Sequence, residues 1–224
     1  KKFLVENNFI HENWNALNIL TQNASTVGAI DLGFFEISEK NNFNFFDKLN
    51  DKKFDLIYFV GSDNLNFKKS NEFVIYQGSH GDRMAQMADI ILPAPAFTEQ
   101  DGLFINLEGR VQKSVKSSYP TRDSKEDWKI FNFISKNIIN EENFKSFREL
   151  RIDTLKKIKN FSEFDLLPNT KLDLTKSINV NFSNELISIK EIDYYFSNSI
   201  ARSSKTMSDC RSIRLNKLRK KTGT

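Results

Sequence analysis

The densest run of chemically capable side chains lies between Tyr76 and Gln112, in YQGSHGDRMAQMADIILPAPAFTEQDGLFINLEGRVQ. Phosphate binding is the first chemistry to weigh. Gly78 and Gly81 sit in a turn after an apolar run, and a helix opening beyond such a turn offers free backbone N–H groups to an anion. The spacing falls short of a working cradle: neither G-x-G-x-x-G nor a loop ending in Gly-Lys-Ser/Thr is present. The competing reading is conformational. The two glycines admit positive φ at a strand-to-helix turn, and Asp82 caps the helix.

Acid–base chemistry would need His80 and Asp82, two positions apart in a turn, to meet, with Ser79 the nearest hydroxyl. Hydrogen bonding of the turn itself is the simpler role. A carboxylate or guanidinium site would draw on Asp89, Glu99, Glu108 and Arg110. Glu99 and Glu108 flank the Asp101-Gly102 turn and could converge, but an Arg110–carboxylate pair that locks the loop over the strand ends is favoured. No catalytic, cofactor-binding or metal-ligating residue is therefore assigned. Metal chemistry has little to build on: Cys210 is the single cysteine and His11 and His80 are the two histidines. One thiol supplies neither a disulfide framework nor a Cys₄ set, and it fits a reducing compartment.

These side chains must be held by a fold. The chain has 224 residues, 39% hydrophobic and 12% aromatic, with 21 phenylalanines to fill a core. No apolar run is long enough to span a bilayer, and the first residues lack the apolar region of a secretory signal. The formal charge is +4, but six basic residues and no acid lie between Arg211 and Thr224; the remainder carries 27 basic residues against 29 acidic ones. The basic character belongs to the tail rather than to a surface that tracks nucleic acid.

FDLIYFVGSDN, EFVIYQGSHGD and ADIILPAPA are compact apolar runs with Gly or Pro at their ends. They read as parallel strands buried on both faces, and the fold class as α/β. A helix is predicted over 12–24, a loop or short strand over STVGAIDLGFF, and an extended edge segment over LFINLEGRVQKSV. Ser124 to Asp127 reads as a capping box before a helix with Trp128, Phe131, Ile134 and Ile138 on one face. A second helix is predicted over 141–159, a polar surface excursion over 160–184, and a last helix from about Ser199 through Cys210. The expected division is an α/β part at 1–123, a helical part at 124–210 packed on it, and a basic tail at 211–224. The tail reads as a basic helix end or a contact with an acidic partner.

As an ordered set, Tyr76-Gln77-Gly78, His80-Gly81-Asp82, Ala88-Asp89, Ile91-Leu92-Pro93, Thr98-Glu99, Asn106, Glu108-Gly109-Arg110 and Gln112 carry more information than singly. Together they resemble the C-terminal part of the largest iron–sulfur subunit of respiratory complex I, a region similar to molybdopterin oxidoreductases. WNALNILTQNASTVGAIDLGF, EDWKI, and Ser199-Ile200-Ala201-Arg202 with Ser204, Thr206-Met207 and Cys210 extend the resemblance along nearly the whole chain. Asn198 stands where the family usually has Asp. The resemblance implies a partial Rossmann-like parallel sheet of the molybdopterin-oxidoreductase type, followed by a mostly helical C-terminal region. It implies no molybdopterin and no other cofactor in this chain, with iron–sulfur clusters in a companion Cys-rich N-terminal part, separate or missing. It further implies a structural role in the peripheral arm, on the matrix side of the mitochondrial inner membrane. The expected partners are other complex I subunits, without nucleic acid or direct membrane insertion, and the missing strands of the sheet would come from a partner polypeptide. The alternatives are an active molybdopterin-dependent oxidoreductase fragment and a basic nucleic-acid-binding protein.

Overall fold

The computed structural model describes residues 2–11, 14–21, 23–34, 49, 51, 54–63, 65–158, 161–168 and 193–222. Along the chain run α1 (Lys2–Glu6), β1 (Ile10–His11), β2 (Trp14–Asn15), α2 (Thr26–Asp31), β3 (Leu56–Val60), β4 (Phe73–Gly78), α3 (Asp82–Met87) and β5 (Ile90–Pro93). There follow β6 (Gly102–Ile105), β7 (Val111–Ser114), α4 (Asp127–Ile138), α5 (Phe147–Lys157), a 3₁₀ turn (Tyr194–Phe196), α6 (Ser199–Ser203) and α7 (Lys205–Thr222). Two compact units emerge. One gathers Lys1–Ser38, Asp101–Val115 and Phe144–Ile187; the other gathers Glu39–Gln100, Lys116–Asn143 and Ser188–Thr224. Each unit draws on residues from both sides of the 123–124 boundary expected from the sequence.

The second unit is built on a parallel sheet of order β3-β4-β5. The three apolar runs do form its strands, as their composition predicts. Side chains alternate across it. Ile57, Phe59, Val74 and Tyr76 point to one face and pack with Leu49 and Met84 into a buried cluster. Each such apolar side chain contributes about 1.5–3 kcal/mol when fully buried. The other face departs from the expectation of burial on both sides. Leu56, Phe73, Val60 and Ile90 remain 54%, 44%, 44% and 43% exposed. Among the described residues, Phe131 of α4 covers part of that face, stacking on Tyr58 with ring centroids 5.7 Å apart.

Helix α4 starts later than the sequence suggests. Ser124 does not cap it; its hydroxyl donates to the Thr121 carbonyl at 2.8 Å, and Glu126 stands at the N-cap without a side-chain cap bond. The inward side is set by buried Ile130, while Ile138 is 76% exposed, so the predicted stripe is rotated. The single last helix is two. Asn198 caps α6 by accepting from the Ala201 N–H, as an Asp would. Ser204 then leaves helical geometry at ψ 121°, and its carbonyl accepts from Ser208 in the first turn of α7.

In the first unit the predicted helix over 12–24 is absent among the described residues. Asn15 Oδ1 accepts the Leu17 N–H at 2.9 Å, a local bond that competes with helix formation, and β1 and β2 pair antiparallel before it. The helix lies further on, as α2. Gly33 (φ 82°) ends it, with its N–H bonded to the Ile30 carbonyl and that of Phe34 to Ala29, a Schellman closure. The extended segment is a hairpin: β6 pairs antiparallel with β7. Helix α5 begins at Ser146, which accepts from the Glu149 N–H; this S-x-x-E cap was present in the sequence as Ser146-Phe147-Arg148-Glu149. Ile105, Val111 and Ile158 form the unit's buried cluster, joined by Val27, Leu155, Phe161 and Phe164. The two phenylalanines thus pack inside the segment expected to be a surface excursion, and 169–184 lies outside the described residues.

Candidate functional site

The carboxyl end of β4 is where side-chain chemistry concentrates. A strand sends consecutive residues to opposite faces, so Tyr76 and Gln77, both fully buried, anchor two separate networks. On one face the Tyr76 hydroxyl donates to Asp63 Oδ1 in a short bond and accepts the Gly81 N–H at 3.2 Å. Arg202 of α6 completes the cluster. Its Nε donates to Asp82 Oδ2 at 2.6 Å and its Nη2 to Asp63 Oδ2 at 3.1 Å. Asp63 is 8% exposed. A buried carboxylate of this kind is tolerated only when paired, and the forked guanidinium suits two acceptors at once. Burial, then the hydrogen bond to Asp63 and its charge, push the Tyr76 phenol well above its ordinary pKa. The phenol is thus fixed as a neutral donor.

Gly78 is the bare floor of this cluster. A Cβ there would press on the Tyr76 hydroxyl and lie 2.5 Å from its Cζ and 3.1 Å from Asp63 Oδ1. The glycine serves close approach rather than positive φ, which among the two belongs to Gly81 alone, at 83°. Gly81 is also the N-cap of α3; Asp82, predicted to cap it, instead begins the helix and turns its carboxylate to Arg202.

On the opposite face Tyr58 donates to Gln77 Oε1 at 2.5 Å, and Gln77 Nε2 donates to Asp127 Oδ1 at 2.6 Å. Gln100 Nε2 takes the other oxygen, Oδ2, at 2.9 Å. Burial, with the Asp127 charge, raises the Tyr58 phenol. The chain joins β3, β4, the loop after β5 and the start of α4 through one satisfied amide and carboxylate.

The remaining candidates each have a local structural task. His80 Nδ1 meets Ser79 Oγ at 2.8 Å in an exposed turn. Asp89 accepts the Val74 N–H at 2.7 Å and pairs with Lys69 at 2.5 Å; Lys69 first, then that N–H, hold its carboxyl below the usual range. Glu99 accepts the Ala96 N–H at 2.9 Å. Glu108 lies 3.7 Å from Arg110 at the hairpin turn, where Asn106 Oδ1 accepts from the Glu108 and Arg110 N–H groups and Gly109 turns at φ 84°. Asp63, Arg202 and Asp127 were missed as site residues. Arg202 had one signal, its place in the C-terminal stretch that carries the resemblance. Among the described residues no group of His, Cys, Asp or Glu side chains is arranged to hold a metal, and no helix is long and apolar enough to cross a membrane.

The Molybdopterin oxidoreductase family matches residues 2–137, more than half of the chain. The chain belongs to the molybdopterin oxidoreductase family. Its relatives are specific. It is 34% identical over 206 residues to the NADH-ubiquinone oxidoreductase 75 kDa subunit of Reclinomonas americana, covering 90% of this chain and 29% of that protein. It is 35% identical over 210 residues to an NADH-quinone oxidoreductase subunit of Rickettsia conorii, covering 93% and 30%. The mitochondrial NADH-ubiquinone oxidoreductase 78 kDa subunit of Candida albicans is 32% identical over 214 residues, covering 91% and 28%. This molybdopterin-oxidoreductase chain therefore spans less than a third of the length of the relatives it matches.

Proposed function

We propose that the chain is a cofactor-free structural part of the peripheral arm of respiratory complex I, on the matrix side of the mitochondrial inner membrane. It supports NADH-to-ubiquinone electron transfer carried by iron–sulfur clusters in the polypeptide that its relatives possess beyond the matched region. The observation that carries this reading is the match of proteins named as NADH–quinone or NADH–ubiquinone oxidoreductase subunits over nine-tenths of the chain.

The chemistry at the strand ends agrees with it. Open parallel sheets bind ligands outside the carboxyl ends of their strands. At β4 that position is filled by the chain's own groups. The Tyr76 ring blocks even a methyl group at Gly78, Asp63 and Asp82 bring negative charge, and the cation that would meet a phosphate, Arg202, is already held by both. An anionic pterin cofactor does not fit this donor set. Cys210 is the sole thiol, too few for a cluster.

Native electrophoresis of the respiratory membranes tests the role. The chain is expected to co-migrate with NADH dehydrogenase activity, and its migration apart from that activity would overturn the proposal. Stoichiometric molybdenum bound to the purified chain would overturn the cofactor-free part alone.

A further inference from the structure

The two edges of the parallel sheet differ. On β5 the sequence ends in Pro93, which cannot donate a ladder bond, and the Pro93 carbonyl already accepts the Lys125 N–H at 3.1 Å. That edge is blocked at its carboxyl end. On β3 the five residues LIYFV contain no proline and no charge, the devices by which natural edges avoid further pairing. The β3–β4 register, with Phe73 N–H bonded to the Asp55 carbonyl and Gly61 N–H to the Gln77 carbonyl, directs Ile57 and Phe59 towards β4. Leu56, Tyr58 and Val60 therefore turn their N–H and C=O groups outward. No strand pairs with them among the described residues. The same register puts Leu56, Val60, Phe73 and Ile90 on one face, and these are the large apolar side chains left 43–54% exposed there.

We propose that the outer edge of β3 receives an added parallel strand, of about five residues and apolar, followed by a covering element over the Leu56–Phe73–Ile90 face. The occupant is the polypeptide that the relatives carry beyond the region matched here. This rests on the complex I reading, because the length of the relatives supplies the occupant: the chain covers 28–30% of them. Addition at an open edge gains backbone bonds from Leu56, Tyr58 and Val60, and the alternating side chains set register. A parallel partner also requires cover on its faces, which the exposed apolar set provides the surface for.

The test uses the natively purified NADH dehydrogenase assembly. Hydrogen exchange resolved to single amides compares outward Leu56 and Val60 with inward Ile57 and Phe59. Strand addition predicts outward amides exchanging within about tenfold of the inward ones. Freely exchanging outward amides beside protected inward ones would overturn it. A Cys210→Ser/Val60→Cys variant, probed with a short thiol-to-amine crosslinker, identifies the neighbour. A crosslink to the cluster-bearing polypeptide supports the assignment, and one to any other subunit overturns it. If the chain is absent from the assembly, both the role and the added strand fail; if present with free outward amides, the strand alone fails.

Discussion

Arg202 offers the sharpest test of how the C-terminal segment is held. Arg202→Met keeps the aliphatic bulk and removes the guanidinium, so Asp63 loses its charge partner while 8% exposed. Breaking a buried pair by deleting one partner costs about 3–5 kcal/mol. The second contact adds little: the Asp82 side chain is 34% exposed, and exposed pairs contribute about 0–1 kcal/mol. Asp63 keeps the Tyr76 hydroxyl, which moves the expectation to the lower end, about 3 kcal/mol. Asp63→Asn removes the charge that needs neutralising, so the double variant should cost less than the sum of the singles, with a coupling of at least about 1.5 kcal/mol. Arg202→Lys should recover only part, since one ammonium does not reproduce the fork. Pulse proteolysis of this chain in urea, performed on the purified assembly, measures all four. A loss under about 1 kcal/mol for Arg202→Met, or a cycle additive within about 0.5 kcal/mol, would refute the claim that this cluster clamps α6 to the strand ends.

Gly78→Ala should destabilise by about 1–3 kcal/mol, because the added methyl meets a Tyr76 ring pinned on two sides; a stability equal to wild type would remove the close-approach argument. In alkali, the folded pKa of Tyr76 lies above its unfolded value of about 10. Its contribution is complete below that value and falls as pH rises further, since only the unfolded state then ionises. Ultraviolet titration should find Tyr58 and Tyr76 ionising above the ordinary tyrosine value of about 10, with Tyr76→Phe removing one such group. In acid, Asp89 and Asp193 have folded pKa values below the unfolded range, held down by Lys69 and Arg211 in turn. Their contribution is present above about pH 3.9 and is lost as pH falls through the folded values; Asp89→Asn should flatten that acid limb in a pH-unfolding curve. Ser146→Ala should cost about 1 kcal/mol at the start of α5, read by the exchange rate of the Glu149 amide.

What could be read from the sequence divides by the range of the interaction. The strands β3, β4 and β5 were legible because their runs of apolar, largely β-branched and aromatic residues carry their own preference and end at Gly or Pro. The helix expected over 12–24 failed on a short-range competitor, the Asn15 side chain, which periodicity does not register. The hairpin was half legible. Alternation marked one extended segment, but the reversal that splits it into two strands depends on Asn106 receiving two N–H groups at once. The strand-end cluster joins residues 120 and 139 positions apart, and no spacing rule reaches that far. The ordered resemblance reached it indirectly, through Gly78, Asp82 and Arg202 in separate stretches that the fold brings to one place. Gly78 and Asp82 invited an active-site reading from the sequence, and they lie at a position where parallel sheets bind ligands. At that position Arg202 donates to Asp82 and Asp63 together, a contact that ties the C-terminal segment to the strand ends.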